Sequence, residues 1–479
     1  MTTPQHPNLF ARISDAVAEG VAAVYAWESG GKYISRYHDY PTVSTHSDGF
    51  PWFSRTYLFD DSAPIEYTSA FRHDGINADG LTSFQSVVDL VSNDPFLRHY
   101  FLLGDDDASP DSSKKKNPVG VFIKLEAMIE RYVYVSGHQP FDASVFQPIY
   151  LEWESAVFSK DLDIEITVPI INQRFSIDSF EIAEGISVEA LDKQLQLARM
   201  AARRSSMNDS DEASKAATHA LVLRGWTLPN EPFIFGHRFV TQAGAYSAAL
   251  NKANDFFAAM RVVVDCETGF GQVVVRHSGW AHDWTADLPP VSVFTVREHP
   301  DWRGSRPEAS TFGEPQLAAV RAVYRSIAEA RTAKMGSAAK RLNAAKLRSN
   351  ESDSILDITI GLETLLTDDS RAEITYRLGM RMAALARLVP VEGYTPAQVY
   401  RACKRLYDFR SAVAHGSPSA DKKRMVRVSA DRAHSANAVG VTFLRHALRA
   451  LSEYPTLQTP VRIDARLLGF EDSSERLDQ

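Results

Sequence analysis

Apolar positions along this chain follow two periods, and the change of period near residue 300 is its main organisational signal. Between residues 9 and 27, Phe10, Ile13, Val17 and Val21 fall at three- and four-residue spacing and predict an amphipathic helix. From Tyr33 to Tyr67, Gly, Pro, aromatic and β-branched residues mix without that period, predicting short strands and loops. Helical spacing returns over 82–103, with a break near Asn93-Asp94-Pro95, and over 141–158, where Phe141, Phe146, Tyr150 and Trp153 carry the apolar face. Strand patterns follow at 164–170, 175–182 and 186–188, with Pro169 marking an edge or a strand end. A helix is expected over 191–203 and another over 243–260, with further strands at 219–223, 260–266, 272–277 and 291–297. Two polar stretches, 105–117 with Lys114-Lys115-Lys116 and 204–215, read as solvated loops.

Residues 301–315 have linker composition, and everything after them reads as helix. Two helices are expected at 316–334 and 337–349. A third follows the cap candidates Ser352 and Asp353, with Ile355, Ile358, Leu362, Leu365 and Leu366 on one face. The fourth opens with the capping-box pattern Ser370-Arg371-Ala372-Glu373 and carries Ile374, Leu378, Met382 and Leu385. The fifth starts at Thr395-Pro396, carries Val399, Cys403, Leu406, Phe409 and Val413, and stops at Gly416 with Pro418. A last helix is expected over 430–453. Six helices on short loops make a bundle. The fold class is therefore α+β: a mixed α/β-strand region at 1–300, with an internal break near 159–163, and an all-α bundle at 316–479.

Composition narrows the function. The chain has 479 residues, 44% hydrophobic and 23% charged, as soluble globular proteins do. A net charge of −8 argues against general coating of nucleic acid but leaves room for a local basic cleft. Cys266 and Cys403 are the only cysteines, which excludes a disulfide framework and a thiolate zinc site and points to a reducing cytoplasm. No apolar run of membrane-spanning length and no secretory leader pattern is present.

The candidate chemistry lies in Tyr407-Asp408-Phe409-Arg410-Ser411-Ala412-Val413-Ala414-His415-Gly416. A guanidinium that holds a phosphate and an imidazole that moves protons near neutral pH are the two groups needed to cut RNA without a metal. The spacing Arg-x(4–6)-His occurs four times, at Arg131/His138, Arg276/His282, Arg410/His415 and Arg427/His434. The first two lie in strand-like surroundings and the last beside a helix-start signal. Only Arg410 is expected late in a long helix with a clear apolar stripe. Five helical positions turn about 140° beyond one full turn. Either the helix ends between the two residues, or the motifs of two protomers face each other. Without further context the pair also reads as an interhelical polar contact.

With its surroundings this segment resembles the HEPN superfamily of ribonucleases, most closely its Apea-like branch of phage-defence proteins. Ile360-Gly361-Leu362-Glu363-Thr364-Leu365-Leu366 resembles the acidic Leu-rich helix of that family; Glu373, Arg377, Arg381 and Ala383-Ala384 resemble its second helix. The block 163–190 resembles the region upstream of the domain in related proteins. Ser411 stands where the wider superfamily often carries Asn, Asp or His. The resemblance implies an all-α HEPN bundle and a metal-independent endoribonuclease toxin of prokaryotic anti-phage, abortive-infection defence. It needs no cofactor. It would act as a homodimer with a composite cleft on RNA, with transfer RNA a plausible substrate, and residues 1–300 would sense a phage-derived trigger. Arg410 and His415 would be catalytic. Three supporting residues stay open to two readings each. Asp408 either orients the imidazole or is a solvated charge, and Ser411 either contacts phosphate or is a plain surface Ser. Glu363 either lines the cleft or pairs with Arg377 or Arg381. The alternatives are a non-catalytic HEPN module that binds RNA or a protein partner, and a metal-dependent enzyme using His277, His282 and Asp283.

Overall fold

The computed structural model describes residues 3–56, 61–72, 75–101, 119–202, 212–230, 244–277, 284–300, 308–328, 333–368, 373–418, 420–429 and 432–469. The protein is a mixed α+β chain in which helices predominate. Five helices come first: α1 Pro7–Ser29, α2 Thr82–Asn93, α3 Pro95–Phe101, α4 Val119–Ser136 and α5 Ala143–Val157. A hairpin, β1 Pro41–Thr45 and β2 Pro51–Arg55, lies between α1 and α2. Leu9, Ile13, Val17 and Val24 of α1 meet Phe84, Leu125, Met128, Tyr150 and Trp153 in one apolar cluster. The run Arg131–Val135, read from the sequence as strand-like, belongs to α4. Val121, Leu125, Met128, Ile129 and Tyr132 recur at helical spacing and are buried, so packing overrides the strand preference of its β-branched and aromatic residues.

The sheet contains β3 Asp161–Ile171, β5 Ser179–Ala183, β6 Ile186–Ala190, β7 Ala217–Pro229, β8 Phe270–His277 and β9 Ser292–Glu298, in the order β5-β6-β7-β3-β8-β9. Every neighbouring pair is antiparallel. Pro169 sits in the central strand, in the gap between the last β3–β8 pair, Thr167↔Val274, and the isolated bridge Ile171↔Gly269. β4 Gln173–Phe175 lies outside this sheet and pairs in parallel with β10 Ser310–Phe312. Helix α6 Lys193–Ala201 starts on Asp192, whose carboxylate accepts the Leu195 N–H at 2.7 Å. Helix α7 Ala245–Val263 takes in most of the span expected to be a strand at 260–266, because Phe256, Phe257, Met260 and Val262 continue its buried face.

Seven longer helices follow among the described residues, α8 Glu314–Ala328, α9 Ala333–Leu347, α10 Glu351–Leu366, α11 Ile374–Leu388, α12 Pro396–Ala414, α13 Ala436–Glu453 and α14 Pro460–Leu467, with a single turn of helix at Ala420–Lys423. Three local expectations are corrected. Helix α10 is capped by Asn350, which accepts the Ser352 N–H at 2.8 Å, rather than by Ser352 or Asp353. Glu373 is the N-cap of α11, with φ +55° and no side-chain cap bond, so it is not the third-residue partner of a capping box; Ser370, Arg371 and Ala372 lie outside the described residues. The bundle region is not all-α: an antiparallel hairpin, β11 Met425–Ser429 and β12 Arg432–Ser435, occupies the start of the span expected as the last helix. Val426 is buried between exposed Met425 and Arg427, a two-residue period that a helix cannot use.

The apolar core divides near residue 160 and not at 300. One large cluster ends at Val157 and the other reaches from Ile164 of β3 to Ile463 of α14, while a small third cluster joins Tyr40 to Leu197, Ala198, Ala286 and Leu288. Helix α7 joins the sheet to the bundle. Its fully buried Arg261 donates to Thr268 O and to Asn343 of α9, while Arg445 of α13 donates to Arg261 O. Among the described residues no helix is long and apolar enough to cross a membrane.

Candidate active site

Helix α12 begins with a full capping box. The Thr395 hydroxyl accepts from Gln398 N–H, the Gln398 amide oxygen accepts from Thr395 N–H at 2.8 Å, and Pro396 stands where its missing N–H costs nothing. Val399, Ala402, Cys403, Leu406, Phe409 and Ala412 bury one face. The helix ends at Ala414, between Arg410 and His415, in a Schellman closure. Gly416 at φ +60° donates to Val413 O at 3.1 Å and Ser417 donates to Ala412 O at 2.8 Å. His415 is the cap residue, at φ −96°, ψ 6°, and its ring is exposed. Its N–H still donates to Ser411 O at 3.1 Å, so His415 keeps its place on the last helical turn and the angular separation from Arg410 remains.

Arg410 faces α10. Its guanidinium lies 3.9 Å from the Glu363 carboxylate and 5.5 Å from the centre of the Tyr407 ring. It makes no hydrogen bond to the described residues, and its Nε is buried without a partner. The Tyr407 hydroxyl donates to Glu363 at 2.7 Å. Burial first, then the Glu363 carboxylate, pushes that hydroxyl up to about 12, against the opposing pull of Arg410. The fold therefore brings Glu363, Tyr407 and Arg410 together. The Arg–His motif alone gives Tyr407 no role. Its signal was its position three residues before Arg410, which puts both on one helix face.

The other expected contacts are redistributed. Asp408 pairs with Arg405 at 3.7 Å on the exposed face and makes no bond to His415, so it is a solvated helix charge. The Ser411 carbonyl accepts the His415 N–H at 3.1 Å, and its hydroxyl has no hydrogen-bond partner among the described residues. The His415 ring likewise bonds to none of them. Glu363 pairs with neither Arg377 nor Arg381. Arg377 goes to Asp368 at 2.8 Å. Arg381, 3% exposed, goes to Asp464 at 2.8 and 2.6 Å, to Asp368 at 3.1 Å and to Leu366 O at 2.7 Å.

Most members of the rival Arg/His pairs are engaged elsewhere, while Arg427 is exposed on β11 and makes no hydrogen bond or ion pair with the described residues. Arg131 also sits late in a helix, contrary to the expectation that only Arg410 does, but its guanidinium stacks 3.4 Å above the Trp284 ring. His138 is held by Glu28 at 3.1 Å and lies 3.4 Å from the Tyr67 hydroxyl. Arg276 pairs with Glu165 at 2.7 Å. His434 accepts from Arg432 at 3.0 Å on the hairpin. His282 and Asp283 of the metal-dependent alternative lie outside the described residues.

Local charge differs from the whole. Residues 396–432 carry nine Lys or Arg against three Asp or Glu, a surplus of six positive charges in a chain of net −8. Arg401, Lys404, Arg405, Lys422 and Lys423 are exposed. Such a patch attracts a polyanion. Comparison with protein-family models, with curated proteins and with solved structures finds no match.

Proposed function

We propose that helices α8 to α14 with the β11–β12 hairpin form a HEPN-type unit, and that the chain is a metal-independent endoribonuclease of prokaryotic anti-phage defence. In this reading a ribose 2′-hydroxyl attacks the adjacent phosphorus, the bond to the 5′-oxygen breaks, and a cyclic phosphate and a 5′-hydroxyl result. Arg410 holds the phosphate and stabilises charge on its oxygens, and His415 takes or returns the proton. A second protomer supplies the opposite proton-transfer group across a composite cleft. The need for the 2′-hydroxyl restricts the substrate to RNA, with transfer RNA one candidate. Residues 1–300 regulate the activity in a cytoplasmic setting, by sensing a phage-derived trigger.

The observation that carries this reading is the state of Arg410. It is half-buried, makes no hydrogen bond to the described residues and lies 3.9 Å from Glu363 on a helix with a local surplus of positive charge, whereas Arg131 is stacked on Trp284, Arg276 is paired with Glu165 and Arg427 is exposed on a hairpin. The alternative, a non-catalytic module that binds RNA or a protein partner, is favoured by one observation: no described side chain orients the His415 ring.

The test is RNA cleavage in EDTA by wild-type protein, Arg410→Ala and His415→Ala. Cutting that leaves cyclic-phosphate ends and is lost in both variants supports the nuclease. Cutting that persists in both, or that needs a metal, overturns it. RNA binding without cleavage, together with loss of toxicity in neither variant on expression, favours the binding module.

A further inference from the structure

A second site lies far along the chain from α12, where the sheet meets the first cluster of helices. A cavity of about 710 Å³ opens between α5, the start of α6, the ends of β3, β7 and β8, and the segment 284–290. That volume is in the range of pockets that enclose small molecules, roughly 300–1,000 Å³. Trp226, Trp284, Pro289 and Pro290 give it flat apolar walls.

The charges around it select the ligand. Its two cations are already neutralised: Arg224 binds Glu189 through two bonds of 2.6 and 2.9 Å and Glu165 at 2.8 Å, and Arg276 binds Glu165 at 2.7 Å. An anion would have to displace these carboxylates. Of the remaining acids, Asp192 is spent on the cap of α6. Glu152 and Asp163 line the cavity and accept no hydrogen bond from the described residues. Glu152 is half-buried and Asp163 is exposed; the charge of Arg131, whose guanidinium stacks on Trp284, acts on Glu152 without a hydrogen bond. A partly desolvated carboxylate without a donor is a state that a bound cation stabilises. Among the described residues the lining holds four carboxylates against two guanidiniums, a surplus of two negative charges.

We propose that this cavity binds a small organic cation, an amine or guanidine on a flat apolar body. The ring lies between the Trp and Pro walls, and the cationic head reaches Glu152 and Asp163. The site stands independently of the nuclease reading, because no residue of α12 takes part in it. It also spans the seam between the two apolar cores, since Glu152 belongs to α5 and Asp163 to β3. Occupation ties one core to the other and stabilises the native chain by mass action.

Calorimetric titration of the full chain tests this with tryptamine as probe, and with tryptophol and indole-3-acetate as its neutral and anionic counterparts. Tryptamine is expected to bind, tryptophol at least ten-fold more weakly, and indole-3-acetate not at all. Glu152→Gln and Asp163→Asn are near-isosteric changes at positions without hydrogen-bond partners, so they leave the fold intact. Each is expected to weaken tryptamine about ten-fold, and Trp226→Leu to weaken tryptamine and tryptophol alike. Thermal melting of the unliganded variants checks their folding. Absence of tryptamine binding at millimolar concentration, equal affinity in folded variants, or preference for indole-3-acetate would each overturn the assignment.

Discussion

Arg410→Ala separates a structural arginine from a functional one, because the surroundings of Arg410 make its truncation cheap. The Glu363 carboxylate is 3.9 Å away, with side chains 29% and 22% exposed. Two unit charges at that distance attract by about 4 kcal/mol at an effective dielectric of ~20. Desolvation and ordering of long side chains reduce pairs that solvent reaches to about 0–1 kcal/mol net. The Tyr407 ring, 5.5 Å away, adds ~0.5–1 kcal/mol. Against this, truncation removes a buried Nε without a partner, a defect worth about 1–3 kcal/mol, and Ala is the better helix former by a few tenths. The terms nearly cancel, so Arg410→Ala should lie within about 1 kcal/mol of wild type. Arg381→Ala is the internal contrast. Its side chain is 3% exposed, and truncation strands the Asp464 carboxylate and the Leu366 carbonyl, while Asp368 keeps Arg377. Removing one partner from a buried pair costs about 3–5 kcal/mol, and the partly exposed carboxylates put this site near ~3. Urea unfolding of both variants, extrapolated linearly to water, measures the difference. A loss of roughly 2 kcal/mol or more in Arg410→Ala, the cost of a structural contact, would refute this and return Arg410 to the role of an interhelical tether.

Other expectations follow from single contacts. A Cβ at Gly440 would stand 2.7 Å from Ile358 Cγ2, so Gly440→Ala should destabilise by about 1–2 kcal/mol despite its better helix propensity; unchanged stability would mean that α10 and α13 are less tightly packed than their geometry states. Thr395→Ala breaks the capping box of α12 and should cost ~1 kcal/mol in the same unfolding assay, whereas a cost near zero would show the cap to be dispensable. Burial pushes the Glu126 carboxyl up to about 7, against the opposing charge of Arg72 and from an ordinary value near 4.5. The folded chain therefore holds this proton more tightly than the unfolded chain. The stabilisation is complete below about 4.5 and is lost as pH rises through about 7. Glu126→Gln should flatten that slope and raise stability at pH 8 by on the order of 1–2 kcal/mol. An unaltered pH profile from 5 to 8 would sink this.

Periodicity is local information, and it carried the local features of this chain. The stripe of α12, its Thr395-Pro396 start and its Gly416 stop are each written within a few residues of one another, and each appears in the fold. So do the apolar faces of α1, α5, α10 and α11. Local pattern failed where packing outweighed propensity, as in α4, or where a few residues of either period looked alike, as at 425–435. What each polar side chain meets was decided only by the tertiary structure. Glu363 finds Tyr407 44 positions away, and Arg381 finds Asp464 at a separation of 83. The Arg410–His415 spacing was visible in the chain, but the exposure of His415 and the unpartnered Nε of Arg410 were not. Likewise the sheet shares its core with the bundle across a stretch of linker composition. A helix or strand is specified by neighbours along the chain, whereas a partner is specified by which faces the whole fold buries against each other.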